Sequence, residues 1–320
     1  MQLEGKVILV TGGCGFIGSA FLNHMLVKYA GTDTKFVNLD RLDYCAREKN
    51  VPKYDNYTFI KGDICDSYLV LKILNQYRCT HVLHFAAYSH VDNSFDNSVE
   101  FTINNVVGTH KLLEACRIWG RIEKFIHVST DEVYGEIAEG TNMETAILKP
   151  TNPYAATKAA AEMLVLSYQK SFGMPIVITR GNNVYGERQY PEKVIPKFIM
   201  CLLNGEPCPI QGSGNNLRNF IHCRDVARAF EIILLHGVVE EVYNIGSTDE
   251  YSVIEIATLL CKEMQVEGVL KNVEDRKFND VRYSVDITKL SGLGWKQEIT
   301  FMDGLRETIV WYRNNKDYFA

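Results

Sequence analysis

The sequence predicts an α/β fold, a doubly wound parallel sheet with a smaller C-terminal α/β domain. Three observations point there. Short apolar runs alternate with amphipathic stretches through the first half of the 320 residues. Those runs are apolar throughout, so each strand is covered on both faces, as in a parallel sheet. A glycine-rich turn joins the first run to the first amphipathic stretch. Parallel crossovers are right-handed, which winds helices onto both faces of one sheet.

Taken in order, strands are expected at 6–11, 35–40, 58–63, 80–87, 124–130 and 175–180. Helical patterns fall between them near 16–30, 68–77, 98–119 and 154–172. After Arg180 the pattern loosens, and Gly and Pro become frequent up to Gly214. A helix near 224–236 and a strand near 241–245 read as a return to the sheet. This divides the chain into residues 1–180, with a return segment at 220–246, and a smaller domain over 181–320. No repeat or low-complexity segment interrupts it.

Composition narrows the function. Hydrophobic residues make up 46% and charged residues 23%, ordinary values for a globular protein. The net charge is −5 and no basic run occurs, so no nucleic-acid partner is expected. Nine cysteines are scattered without a Cys-x-x-Cys pair, which argues against a zinc site and a disulfide framework. Free thiols suit a reducing compartment. The first residues run straight into a strand, and no apolar run reaches membrane-spanning length. A cytoplasmic protein with no membrane contact is expected.

The first strand ends in Thr11-Gly12-Gly13-Cys14-Gly15-Phe16-Ile17-Gly18. Gly12, Gly15 and Gly18 let a turn tighten and bring backbone N–H groups, with Phe16 and Ile17, up to a pyrophosphate at a helix N-terminus. Asp40 ends the second strand 22 residues beyond Gly18. Its carboxylate suits ribose hydroxyls and repels a 2′-phosphate, so the expected cofactor is NAD. Arg41 beside it could instead accommodate that phosphate. Asp63 and Ile64 end the third strand, where an adenine could lie, although strand ends are polar by default.

Thr151-Asn152-Pro153-Tyr154 reads as a capped helix start, with Thr151 or Asn152 as cap. Tyr154 and Lys158 are four apart and share one helix face. A tyrosine with a solution pKa of about 10 is a poor base at neutral pH. A nearby cation lowers it by ~1–3. Lys158 and a nicotinamide ring are expected to supply that charge.

With the glycine-rich turn, Phe85-Ala86-Ala87, Asn105 with Gly108-Thr109, and Tyr154/Lys158, the sequence resembles the extended short-chain dehydrogenase/reductase family along essentially its whole length. That resemblance implies a Rossmann domain and adds Phe85, Ala86, Ala87 and Asn105 to the cofactor site. Thr130-Asp131-Glu132, at the end of the fifth strand, resembles the triplet of the family's nucleotide-sugar 4,6-dehydratases. Sugar 4-epimerases of the family usually carry small hydroxyl residues there. The resemblance implies that Tyr154, helped by Thr130, deprotonates the sugar 4-hydroxyl while hydride passes to NAD. Glu132 then removes the C5 proton, and Asp131 protonates the departing 6-hydroxyl.

Further segments resemble the substrate side of those dehydratases. They imply sugar and nucleotide contacts from Ser89, Thr130, Asn183, Glu192, Lys193, Pro209, Gln211, Arg218, Asn279 and Arg282. Segments 90–94, 180–186 and 278–283 are most similar to the dehydratase half of plant rhamnose synthases, which implies UDP-glucose as substrate. Where dTDP-glucose dehydratases usually have Tyr, this chain has Gln211, but one methyl group discriminates by only ~1–3 kcal/mol. dTDP-glucose therefore stays open, as do a 4-epimerase and a non-catalytic NAD-sensing protein. Because the resemblance covers one half of the plant enzymes, a separate enzyme is expected to complete a rhamnose-type pathway. Tyr88 and Glu187 depart from the pattern. Helices 98–119 and 154–172 carry apolar residues beyond one face. In the family these form a four-helix bundle, so a homodimer is expected.

Overall fold

The first strand, β1 (Val7–Thr11), alternates its side chains between two apolar layers. Ile8 and Val10 join Phe21, Leu22, Phe36 and Phe230 on one face. Leu9 joins Val37, Leu39, Leu112 and Val165 on the other. Burial on both faces explains why the strands read as unbroken apolar runs.

The computed structural model describes residues 3–319. β1 is followed by β2 (Lys35–Asp40), β3 (Tyr57–Lys61), β4 (His81–His84), β5 (Lys124–Thr130) and β6 (Ile176–Gly181). After the short β7 (Asn183–Tyr185), β8 (Cys208–Gln211) and β9 (Leu217–His222) comes β10 (Val242–Ile245), which returns to the main sheet. The seven-stranded order is β10-β6-β5-β4-β1-β2-β3, and every pairing is parallel. The order reverses between β1 and β4. Ligands bind at such switch points, beyond the carboxyl ends of the strands.

Helices α1 (Phe16–Lys28), α2 (Ser67–Tyr77), α3 (Val91–Asp96), α4 (Ser98–Thr102), α5 (Gly108–Trp119) and α6 (Pro153–Phe172) cover the first half. The continuous helix expected over 98–119 is broken. A π-helical turn, Ile103–Val107, separates α4 from α5. The side chain of Asn105 there binds both backbone groups of Tyr88 (2.8 and 2.9 Å) and the Thr157 hydroxyl (3.0 Å). Local π turns of this kind often mark functional regions. The strand expected over 80–87 stops at His84, which leaves Phe85–Ala87 as irregular cleft wall.

The C-terminal part adds α7 (Val194–Asn204), α8 (Cys223–His236), β11 (Glu250–Ser252), α9 (Val253–Met264), β12 (Leu270–Val273), α10 (Thr288–Gly292) and α11 (Phe301–Asn314). α8 packs beside α1, beneath the main sheet. A third apolar cluster, with Tyr185, Phe198, Ile256, Leu260, Phe301 and Tyr312, joins α7, α9 and α11. β11, β9 and β7 form one small sheet, and β12 pairs with β8. Among the described residues no helix is long and apolar enough to cross a membrane.

Candidate active site

The glycine-rich turn folds so tightly that two of its glycines are obligatory. Gly12 has φ +72°, and a Cβ there would lie 2.6 Å from the Ala86 backbone nitrogen. A Cβ on Gly18 would lie 2.4 Å from Gly12 O. Gly15 precedes α1 with no side-chain cap. The first N–H groups of this 13-residue helix therefore open towards a cavity of about 280 Å³.

Asp40 reaches the same cavity from β2. Its oxygens accept from Cys14 N (2.9 Å) and Leu42 N (2.8 Å), which fixes the carboxylate rim. Arg41 is engaged elsewhere. It pairs with Asp43 at 2.6 Å and Asp63 at 3.1 Å, and it lies 4.7 Å over the Tyr88 ring. Two carboxylates thus occupy the guanidinium that could have accepted a 2′-phosphate, and Tyr88 supports it. Gly12, Gly15, Phe16, Ile17, Gly18, Asp63, Ile64, Phe85, Ala86 and Ala87 also line the cavity. An open helix end, a fixed carboxylate and an apolar wall fit a dinucleotide without the extra phosphate.

The expected catalytic cluster lies at the mouth of β5. Thr130 leaves the strand and caps a short 3-10 turn, Asp131–Tyr134, through Glu132 N at 3.3 Å. This turn holds both carboxyls beside Tyr154. Burial and the Glu132 charge push the Asp131 carboxyl up to about 7, against opposing hydrogen bonds from Asn182 and Thr130. Burial raises Glu132 too, while the Asn152 hydrogen bond and the charges of Lys193 and Arg218 pull it down. A neutral acid beside a carboxylate base is the arrangement that two-step proton transfer requires.

Tyr154 departs from expectation in one respect. Burial and the charges of Glu132 and Asp131 push its phenol up, and only a hydrogen bond with Thr130 pulls it down. Lys158 does not offset this rise. Its ammonium donates to Val128 O at 2.7 Å, and burial lowers it to about 8. The positive nicotinamide ring is thus the remaining cation of the two that the sequence invokes.

A second cavity of about 150 Å³ adjoins the first, and Glu132, Asn183, Glu192 and Lys193 line both. Pro209, Gln211, Arg218 and Asn279 line the second. Arg218 donates to Leu217 O (2.8 Å) and Asn279 Oδ1 (3.2 Å) and lies over the Tyr283 ring. Its hydrogen bonds therefore go to neutral oxygens, which leaves the cation suited to an anionic group. Lys193 donates to Ser89 O at 2.8 Å, and Ser89 lines the first cavity. Tyr44 OH donates to Glu192 Oε2 at 2.8 Å and so ties the loop after β2 to this substrate-side segment.

Two expected contacts lie elsewhere. Arg282 lines neither cavity. Glu250 takes its guanidinium at 2.7 Å, and Gly140 O accepts a further hydrogen bond. Asn105 is buried behind the cavity wall and holds Tyr88 and Thr157 in place. Glu187 pairs with Arg188 outside both cavities.

Sequence reasoning missed Asn182, whose Nδ2 donates to Asp131 at 2.7 Å. It also missed Arg276, which reaches Gln211 Oε1 at 2.9 Å and Asp92 at 3.3 Å. Asn152 was visible only as a cap. It accepts from Ala155 N at 2.8 Å and also donates to Glu132 at 2.9 Å.

The family model for GDP-mannose 4,6 dehydratase matches residues 9–308. The trifunctional UDP-glucose 4,6-dehydratase/UDP-4-keto-6-deoxy-D-glucose 3,5-epimerase/UDP-4-keto-L-rhamnose-reductase of Arabidopsis thaliana is 50% identical over 98% of this chain and 48% of its own. The chain thus spans about half the length of that relative. The dTDP-D-glucose 4,6-dehydratase of Homo sapiens is 47% identical over 97% of this chain and 91% of its own. Among solved structures, DesIV (dTDP-glucose 4,6-dehydratase) from Streptomyces venezuelae, crystallised with NAD bound, superposes with a TM-score of 0.94 at 38% identity. Each covers 98% of the other. The Thermus thermophilus UDP-glucose 4-epimerase superposes at 0.89 with 31% identity, over 96% of this chain and 99% of its own. Dehydratases and epimerases thus share this fold. With the matched model spanning nearly the whole sequence, the chain belongs to the GDP-mannose 4,6-dehydratase family of extended short-chain dehydrogenases/reductases.

Proposed function

We propose that the chain is an NAD-dependent UDP-glucose 4,6-dehydratase, a hydro-lyase forming UDP-4-keto-6-deoxyglucose. The observation that carries this reading is the buried Asp131 and the half-buried Glu132 beside Tyr154, with Glu132 where the two cavities meet. A 4-epimerase needs proton transfer only at O4, and this pair equips the site for C5 and C6 as well.

Bound at Gly12–Gly18 and Asp40, NAD supplies the hydride acceptor for C4 and the donor for C6, so no external reductant is consumed. Tyr154 receives the 4-hydroxyl proton, with Thr130 in hydrogen-bond reach of the phenol. The 4-keto group acidifies C5–H, and Glu132 removes that proton as the C6–O bond breaks. Asp131 gives its proton to the departing 6-hydroxyl, which leaves as water. Glu132 returns a proton to C5 after C6 is reduced. Arg218 and the N-terminus of α7 suit the diphosphate.

UDP is favoured at the base end. Gln211 stands in a polar wall with Arg276 and Asp92, and no aromatic side chain occupies its position. The relatedness to the dTDP-glucose enzymes, at similar identity, supports the same reaction on the thymidine nucleotide as a second reading. Incubation with UDP-glucose and, separately, dTDP-glucose, without reductant, tests both. Loss of one water from UDP-glucose, with the higher kcat/KM, is expected. Loss from neither sugar would overturn the reading. A homodimer is part of the proposal, since Val99, Ile103 and Val107 near α5 and Met163 and Phe172 on α6 are exposed. Light scattering of the purified protein tests it.

A further inference from the structure

Neighbouring carboxyls readily share one proton, and either member can then act as acid or base. Dehydration needs each carboxyl held in a fixed orientation. Each of these two carboxyls meets an asparagine amide that cannot turn around. Asn182, 5% exposed, accepts from Ser247 N on Oδ1 at 3.3 Å and donates from Nδ2 to Asp131 Oδ2 at 2.7 Å. A Cβ at Gly246 would lie 2.1 Å from that Oδ1, so the glycine is what lets the amide lie against the backbone. A flip would oppose two acceptors on one side and two donors on the other. Asn152 repeats the device. Its Oδ1 accepts from Ala155 N, and its Nδ2 donates to Glu132 Oε2.

We infer that Asn182 and Asn152 are positioning residues: each amide binds one oxygen of its carboxyl and so sets which oxygen is turned to the sugar, Oδ1 of Asp131 beside the Thr130 hydroxyl and Oε1 of Glu132. The inference rests on the dehydratase reading above. With Oδ2 held by Asn182, Oδ1 is the oxygen that meets the Thr130 hydroxyl, which donates to it at 3.1 Å. Among the described residues no hydrogen bond reaches Glu132 Oε1. The charged and titratable neighbours of Asp131 are Glu132 on the same turn, Tyr154 from α6 and Arg218 from β9. Those of Glu132 are Lys193, Arg218, Asp280, Tyr154 and Tyr283. None of them selects one oxygen of either carboxyl over the other by a hydrogen bond, and the two amides do.

Single-turnover absorbance separates the steps, rising with C4 oxidation and falling once elimination permits reduction at C6. For Asn182→Leu we expect the rise to stay within about threefold of wild type and the fall to slow by about 10–100-fold. That is the effect of one lost hydrogen bond to a charged group. The alkaline limb of the elimination rate moves to higher pH, because a donor that favours ionised Asp131 is gone. Asn152→Ser retains a helix cap but cannot reach Glu132. Solvent deuterium entry at C5 slows in this variant, and oxidation persists. Should leucine fail to pack against Gly246, Asn182→Ala reads the same step. Equal slowing of oxidation and elimination would show a merely structural role and overturn the inference, as would unchanged elimination and exchange. A wild type that removes water from neither sugar sinks the dehydratase reading and the inference with it.

Discussion

Replacing Asp131 by Asn should stabilise the protein while impairing it, and the gain should depend on pH. Burial and the Glu132 charge hold this carboxyl at about 7 against an ordinary 3.8. At 4% exposure, solvent screens little of that penalty. The folded-state pKa is raised, so the contribution to stability is fully present below the unfolded value and lost as pH rises through the folded one. Each pH unit between the two is worth about 1.36 kcal/mol. The ionised aspartate therefore costs the fold roughly 4 kcal/mol above pH 7 and nothing below about pH 4. The amide of Asp131→Asn has the same shape and no charge. It can accept from Asn182 Nδ2 with its oxygen and donate to Thr130 Oγ1 with its nitrogen. With about 2.1 cal/mol/K per residue of unfolding entropy, 4 kcal/mol corresponds to roughly 6 °C in Tm for a chain of this size. Differential scanning fluorimetry at half-unit steps from pH 4 to 8.5 reads the effect. A gain that grows between pH 4 and 7 and then levels off is expected. A gain independent of pH, or none at pH 8, would refute the assignment of Asp131 as a buried, protonatable acid.

Three other outcomes follow from the same geometry. Glu132→Gln keeps an acceptor for Asn152 but removes the base, so C4 oxidation should proceed and elimination fall by about 10²–10⁴-fold. Bound NADH then accumulates at 340 nm, and dehydration at the normal rate would reassign the C5 base. Gly18→Ala places a methyl 2.4 Å from Gly12 O. Its NAD affinity by calorimetry should drop at least about tenfold, and wild-type affinity would remove the turn from the cofactor site. Arg218→Ala should raise KM for the nucleotide sugar by about 10–100-fold, the loss of one charge-assisted contact. A change confined to kcat would argue against diphosphate binding there.

How much of this was legible in the sequence depends on distance along the chain. Gly12–Gly18, Thr130–Glu132 and Tyr154/Lys158 are each a short segment at a strand end or in one helical turn. Residue type and spacing therefore carry their placement. Asn182 and Arg276 act on side chains 51 and 65 residues away, and no local pattern encodes such a meeting. The choice between Arg276 and Arg282 shows the limit well. Both lie in one loop-rich stretch, and only the fold reveals that Glu250 draws Arg282 away while Arg276 enters the cavity. Asn105 lies off the cavity for a related reason. The π turn that moves it behind the wall depends on partners at Tyr88 and Thr157. The Tyr154–Lys158 spacing correctly put both on one face, but spacing cannot show that the ammonium prefers Val128 O.

The same pair of acids also bears on the choice between dehydratase and epimerase, which the fold leaves open. An enzyme that stopped at C4 would carry Asp131 and Glu132 at a loss. They cost stability when ionised, and their charges push the Tyr154 phenol further from the range in which it can accept a proton. Small hydroxyl residues would avoid both penalties and still support Tyr154. The pair is useful only if the reaction continues past the 4-keto sugar, where one carboxyl must take the C5 proton and the other must give one at O6. The two amides that hold them in fixed orientations sharpen this point. A carboxyl pair serving only as bulk or as a turn cap would have no need for an asparagine amide on one oxygen of each.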